Sequence, residues 1–303
     1  MREPSHISVL LQESLALFES IGGRCFADLT FGEGGHTHAL LSADAASVIA
    51  IDRDSDAIET YREIGQFRHD PRLVLVHDRF SNLSNHIPAA SLDGVLADLG
   101  VSTRQMLEAS RGFSLNAAGP LDMRMDTENG KTLKEVLSKI SSDALAEELE
   151  KNTDLKGARR IAERVLAEFR NGAIQDTADL ARLIPGSGRR VHPATVLFLG
   201  LRMWVNRELD EIHEGLHAAF DCLKPGGRLV VITFHSTEDR AVKRILRRLG
   251  GKCICGALDP LTCNCPREER AKLVLKHPSV PSWEEIRRNP RSRSAKLRCI
   301  EKL

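Results

Sequence analysis

An α/β fold built on a parallel sheet and interrupted by an all-helical insertion is the fold class this sequence predicts. Three observations predict it. Short apolar, β-branched runs alternate with helical stretches over the first hundred residues. A further run of the same kind returns near residue 230. Between them lies a long segment of helical periodicity without a strand pattern. Apolar strands joined by helices imply right-handed βαβ crossovers, which bury both faces of a parallel sheet.

The elements follow in order. CFADLTFG (25–32) reads as a buried strand running into glycines, SVIAIDRD (47–54) as a second, RLVLVHDRF (72–80) as a third and LDGVLADLG (92–100) as a fourth. A helix is expected after Gly35 and another over 56–65. Segments such as LKEVLSKISSDALAEELEKN and ARRIAERVLAEFRNG space apolar residues helically, with Glu, Arg and Lys on the other positions. ELDEIHEGLHAAFDCLKPGG (208–227) is expected to be a helix closed by its Pro-Gly-Gly, and RLVVITFHS (228–236) a further buried strand. Two independent consecutive domains would leave that strand without a parallel partner. The expected organisation is therefore a core of 1–104 and 206–303, with a helical insertion over 105–205.

Composition narrows the function. The 303 residues carry 43 Lys+Arg against 42 Asp+Glu, a net charge of +1, so a histone-like basic chain and an acidic disordered tail are both excluded. Aromatics are 4%, too few for a surface that stacks many bases. The first residues do not form a signal peptide, and no run approaches the roughly 18 apolar residues of a membrane span. Seven cysteines in a chain with ample core do not suggest a disulfide framework, and a soluble cytoplasmic protein is expected. Cys253-x-Cys255 and Cys263-x-Cys265 are open to two readings, a zinc site or plain thiols. The C-x-C spacing differs from the C-x2-C of structural zinc sites, and no metal ligand is assigned.

Asp28-Leu-Thr-Phe-Gly32-Glu-Gly34-Gly35-His36 falls where a strand turns into a helix. Glycines there allow positive φ and close approach of backbone to ligand. Asp52 follows Gly32 by twenty residues at the next strand's end, where a carboxylate accepts hydrogen bonds from ribose hydroxyls. A dinucleotide fingerprint needs a third glycine where Thr37 stands, which disfavours a nicotinamide-dependent oxidoreductase, and no P-loop motif occurs. The spacing Asp28-x-x-x-Gly32-x-Gly34 fits an S-adenosylmethionine site better. Phe80 ends the third strand, where its ring lies against an adenine or simply fills the core. Asp98 and Gly100 end the fourth, at the carboxyl edge where open α/β sheets bind ligands. His235, Ser236 and Glu238 follow the late strand toward the same edge, and Ser236 or Thr237 there also suits a helix N-cap. Basic runs at 240–252 and 287–303 suggest a face that binds phosphates.

Several blocks occur together and in order: TFGEGGH (30–36), DLGVS (98–102), RGFS (111–114), GPLDMRMD (119–126), HPAT (192–195), VNREL (205–209), FHSTEDR (234–240) and NPRSRSAKLR (289–298). With these the chain resembles, over essentially its whole length, the bacterial 16S rRNA cytosine-N4 methyltransferases of the RsmH (MraW) type. It departs from the family's usual pattern at Thr103 and after HPAT, where Val196 stands in place of an Arg. The resemblance implies a Rossmann-like S-adenosylmethionine-dependent methyltransferase core with an inserted helical substrate domain. It implies methylation of an exocyclic cytidine nitrogen in the decoding centre of small-subunit RNA, with 16S rRNA or the small ribosomal subunit as partner. No membrane partner is expected, and monomer or homodimer stays open. Carried onto matching positions, the cofactor contacts are Gly34, Gly35, His36, Asp52, Phe80, Asp98 and Gln105. Asp98 is the candidate acceptor of the amino proton, with His235 as a second candidate catalytic group.

Overall fold

The computed structural model describes residues 7–184, 192–255 and 267–303. The chain forms two compact units, the first reaching Gly100 and resuming at Asp210, the second spanning Val101–Leu209. The sequence reading put those boundaries at 104/105 and 205/206.

The first unit is built on a sheet of seven strands: β1 (Cys25–Asp28), β2 (Ser47–Asp52), β3 (Leu73–His77), β4 (Leu92–Asp98), β5 (Leu223–Thr233), β6 (Ala271–Leu273) and β7 (Lys296–Lys302). Their spatial order is β3-β2-β1-β4-β5-β7-β6. The first five run parallel, and β5 pairs directly with β4, Asp98 opposite Ile232. Val48, Ala50, Ile51, Val95, Ala97 and Val230 to Ile232 are fully buried, as expected of parallel strands covered on both faces. One face packs on α10 (Glu208–Cys222) and α11 (Ser236–Leu249). The other packs on α1 (Leu11–Glu19) and α2 (Gly35–Ser42). The order reverses between β1 and β4, which makes a topological switch point at their carboxyl ends. Three strands that meet there, β1, β2 and β4, each finish on an aspartate: Asp28, Asp52 and Asp98.

Two expectations need correction. The helix expected over 208–227 stops at Cys222, and Lys224–Gly227 lies inside β5 as an irregularity, the register jumping from Leu223 to Arg228 against β4. Lys302 replaces the glycine cap: its Nζ donates to the carbonyls of Phe220, Asp221 and Leu223. The basic tail is also partly structural. β7 runs antiparallel to β5 and β6, and its cations are consumed inside the unit. Lys296 and Arg298 bind Asp239 at 3.1 and 2.7 Å, and Glu301 binds Arg228 at 3.0 Å.

The second unit contains α4 (Thr103–Leu107), α5 (Leu133–Leu137), α6 (Ser142–Asn152), α7 (Ala158–Arg170), α8 (Thr177–Arg182) and α9 (Pro193–Val205). Among its described residues there is no strand. Leu133, Leu137, Leu145, Leu149, Val165, Leu180, Leu197 and Leu201 are fully buried in its own core. Three separated sequence blocks interlock here. The Arg111 guanidinium donates to the carbonyls of Arg124 and Met125 at 3.2 and 2.8 Å. The Asn206 amide accepts from Met125 N–H and donates to the Met123 carbonyl, both at 2.7 Å. These bonds hold buried Met123 at φ 62°, a left-handed conformation unusual for a side-chain-bearing residue.

Candidate active site

The glycine turn is fixed from below. Gly34 is the N-cap of α2 at φ 80°, where an added Cβ would sit 2.9 Å from the Phe31 ring. Gly32 has φ 53°, and only the Thr30 carbonyl, at 4.0 Å, lies near the place of a Cβ. Asp52 Oδ2 accepts from the Gly32 N–H at 2.7 Å, and its Oδ1 from Asp54 N–H at 2.9 Å. The end of β2 is thus tied to the turn after β1. The next helix is α3 (Ser55–Ile64), and its cap is Asp54. Each Asp52 oxygen keeps a lone pair for a further donor. Burial pushes the Asp52 carboxyl above its ordinary range, and neighbouring Asp54 adds to the rise.

Asp28 is buried beneath the turn and accepts from Thr37 Oγ1 at 2.7 Å and Thr30 N–H at 3.2 Å. Burial carries its carboxyl up to about 6 despite these bonds. Thr37, which breaks the dinucleotide pattern, is thereby the residue that satisfies Asp28. Thr30 also accepts from the Asp98 N–H at 2.6 Å, locking β4 to the turn. Nothing in the sequence marked Thr30 out.

Asp98 closes β4 at the same edge. Its Oδ1 is buried without a hydrogen-bond partner, and its Oδ2 lies 3.8 Å from His36 Nδ1. Burial first, then the charges of Asp28 and Glu238, push its carboxyl well above the ordinary range. His36 Nε2 lies 3.2 Å from the Val9 carbonyl, an acceptor only, which places the ring hydrogen on Nε2.

His235 is the N-cap of α11, one residue before the expected Ser236. Its Nδ1 accepts from Glu238 N–H at 3.4 Å, and its Nε2 lies 2.9 Å from Glu238 Oε1. Buried Glu238 accepts from Phe234 N–H at 2.9 Å, so capping occupies part of this trio. Phe80 is 9% exposed within the core, and an added Cβ on Gly215 of α10 would come within 2.1 Å of its ring. Gln105 belongs to the second unit, where it completes a capping box with Ser102: its Oε1 accepts from Ser102 N–H at 3.0 Å. Gly34, Gly35, His36, Asp52 and Asp98 therefore lie along the carboxyl edge of one sheet. Phe80 is mostly packed into the core beneath it. Cys253 Sγ lies 3.1 Å from Cys255 Sγ, and Cys263 and Cys265 fall outside the described residues.

Such an edge, with a glycine turn after β1, an acid after β2 and a buried acid after β4 at the switch point, defines an S-adenosylmethionine-dependent methyltransferase of the Rossmann-like class. The model of the MraW methylase family matches residues 3–303, and the chain belongs to that family. A protein of Thermomicrobium roseum called ribosomal RNA small subunit methyltransferase H is 41% identical over 99% of this chain and 94% of its own length. Proteins of the same name in Methylobacterium nodulans and Hyphomonas neptunium are 42% and 43% identical, over 99% and 98% of this chain and 91% and 88% of theirs.

The residues present fit the cofactor. S-adenosylmethionine carries an ammonium, a sulfonium and two ribose hydroxyls, all of which suit carboxylates with unused acceptor capacity. Asp98 Oδ1 is a buried acceptor without a partner, and Asp52 has lone pairs to spare.

Proposed function

We propose that this enzyme methylates the exocyclic N4 of a cytidine in the decoding centre of 16S ribosomal RNA, within the small-subunit particle or on the free RNA, in the cytoplasm. One observation carries the chemistry: a buried carboxylate with an unpartnered oxygen, Asp98, closes the central strand β4. The substrate is supported by the relatives, which are named ribosomal RNA small subunit methyltransferases.

A cytosine amino group is a poor nucleophile because its lone pair is delocalised into the ring. The bound cofactor supplies an electrophilic methyl carbon on a sulfonium. The protein contributes position, water exclusion and a proton acceptor. Asp98 takes the N4 proton: a carboxyl held well above its ordinary range is a stronger base than a solvated one. His36, hydrogen-bonded through Nε2 to the Val9 carbonyl, stands beside it and is held in place. Asp52 receives the ribose hydroxyls, Gly34 and Gly35 let the backbone approach, and Phe80 backs the adenine from the core. The helices of the second unit recognise the substrate. His235 assists at the start of α11.

Transfer of tritiated methyl from S-adenosylmethionine into 30S subunits and free 16S RNA, both from a strain lacking the modification, tests this. Saturable labelling of either substrate is expected, with labelling near background for Asp98→Asn. No incorporation into either by the parent enzyme would overturn the proposal.

A further inference from the structure

α11 leaves the active-site edge at its cap His235 and carries a row of cations away from it. Lys243, Arg244, Arg247 and Arg248 are all exposed, and the opposite face, with Val242, Ile245, Leu246 and Leu249, is buried. None of the four forms an ion pair or a side-chain hydrogen bond among the described residues. Three of the neighbouring acids are engaged elsewhere. Asp239 is held by Lys296 and Arg298, Glu238 is buried and accepts from backbone N–H, and Asp221 binds Arg270 at 3.0 Å. The positive field extends to α10, where burial, His213, Arg248 and Arg270 together hold His217 below its ordinary range.

The spacing argues against a row of charges kept for stability. Lys243 with Arg247, and Arg244 with Arg248, are like-charged pairs one turn apart, and such pairs cost a helix a few tenths of a kcal/mol each. The C-terminal dipole rewards Arg247 and Arg248 in the last turn but not Lys243 and Arg244. A cationic row that weakens its own helix and is paired with no anion among the described residues is complementary to an external polyanion. Its repeat, about 5.4 Å per turn, is comparable to the separation of successive phosphates on a nucleic-acid strand.

We infer that Lys243, Arg244, Arg247 and Arg248 on α11 form a track for the sugar–phosphate backbone of the substrate RNA, gripping it without reading its sequence. The inference rests on the RNA substrate proposed above. The test is fluorescence anisotropy of the full-length enzyme with a labelled small-subunit RNA transcript across a salt series. Lys243, Arg244, Arg247 and Arg248 are all replaced by Gln. A control replaces Arg287, Arg288, Arg291 and Arg293, which are exposed near β7, by Gln and removes the same charge. Four lost phosphate contacts lower the log–log salt slope by about 3, at roughly 0.7–0.9 each, and weaken binding at least about tenfold near physiological salt. The α11 variant is expected to show this loss, with an unchanged or higher Tm and parental affinity for S-adenosylmethionine. The control is expected to keep a slope within about one of the parent's. A parental slope in the α11 variant, or equal losses in both variants, overturns the track. If the parent enzyme transfers no methyl to rRNA, the substrate reading fails while the salt slope still reports on the track.

Discussion

Asp52→Ala isolates the link between the sheet and the cofactor. The substitution removes the acceptor of two backbone N–H groups, Gly32 at 2.7 Å and Asp54 at 2.9 Å, and of the two ribose hydroxyls assigned to the same carboxylate. Hydrogen bonds to a charged acceptor contribute roughly 1.5–3 kcal/mol each. Here the gain is smaller than the sum of two such bonds because two backbone N–H groups already share the carboxylate. A net loss of about 2 kcal/mol remains, which is a Kd for S-adenosylmethionine about 30-fold weaker. The loosened turn costs stability separately, while removing a desolvated charge restores some of it. Unfolding is therefore expected to shift by no more than about 1 kcal/mol. Asp52→Asn retains one acceptor oxygen but turns an amide NH2 toward an N–H, so its Kd is expected to fall between those of the parent and the Ala variant. Isothermal titration calorimetry with S-adenosylmethionine, beside circular dichroism of each variant, measures both quantities. A folded Asp52→Ala protein that binds within twofold of the parent refutes the assignment.

Other perturbations separate site from scaffold. Asp98→Asn is expected to lower turnover far more than cofactor affinity, because the amide keeps an acceptor but is not a base; equal losses in single-turnover rate and calorimetric Kd contradict this. Asp28 has an ordinary value of 3.8 and about 6 when folded, so its neutral form favours the fold. That stabilisation is complete below about pH 4 and lost as pH rises through 6, a difference of about 3 kcal/mol. Denaturant unfolding of parent and Asp28→Asn from pH 4 to 7 is expected to show a weaker dependence in the variant, where Asp52 and Asp98 remain raised, and an equal dependence in both proteins contradicts this. Gly215→Ala drives a methyl into the Phe80 ring and is expected to cost about 1–3 kcal/mol in urea unfolding; no change shows that Phe80 has room to move. Asn206→Ala leaves the Met125 N–H and the Met123 carbonyl without their partner and is expected to destabilise the helical unit by about 2–3 kcal/mol, read by hydrogen exchange of α9.

The parallel strands, the glycine turn and the acids at the strand ends were legible because they follow from local patterns: apolar runs, glycines and one acid per strand end. What escaped was set by tertiary partners. β7 carries Lys and Arg that read as part of a phosphate-binding face until Lys296 and Arg298 are seen to pair with Asp239. The Pro-Gly-Gly segment has the composition of a helix stop, yet pairing with β4 draws it into β5 as a bulge, and Lys302, eighty residues on from Cys222, caps the helix instead. In the site, Asp52 and Asp98 were marked by position, whereas Thr30 and Thr37 are short polar residues whose roles exist only once β1, β4 and α2 meet. Phe80 shows the converse: its strand-end position left a ring against an adenine and a ring in the core both open, and the approach of Gly215 covers most of it.

The central claim is that a cytidine N4 in 16S RNA is the methyl acceptor, and nucleoside mass spectrometry tests it most directly. Small-subunit RNA from a strain lacking the modification is incubated with enzyme and S-adenosylmethionine, then digested to nucleosides and, separately, to mapped oligonucleotides. The account predicts N4-methylated cytidine in a single decoding-centre fragment, absent when Asp98→Asn replaces the parent enzyme. A methyl group found on cytidine C5, on a ribose 2′-oxygen or on another base would contradict it.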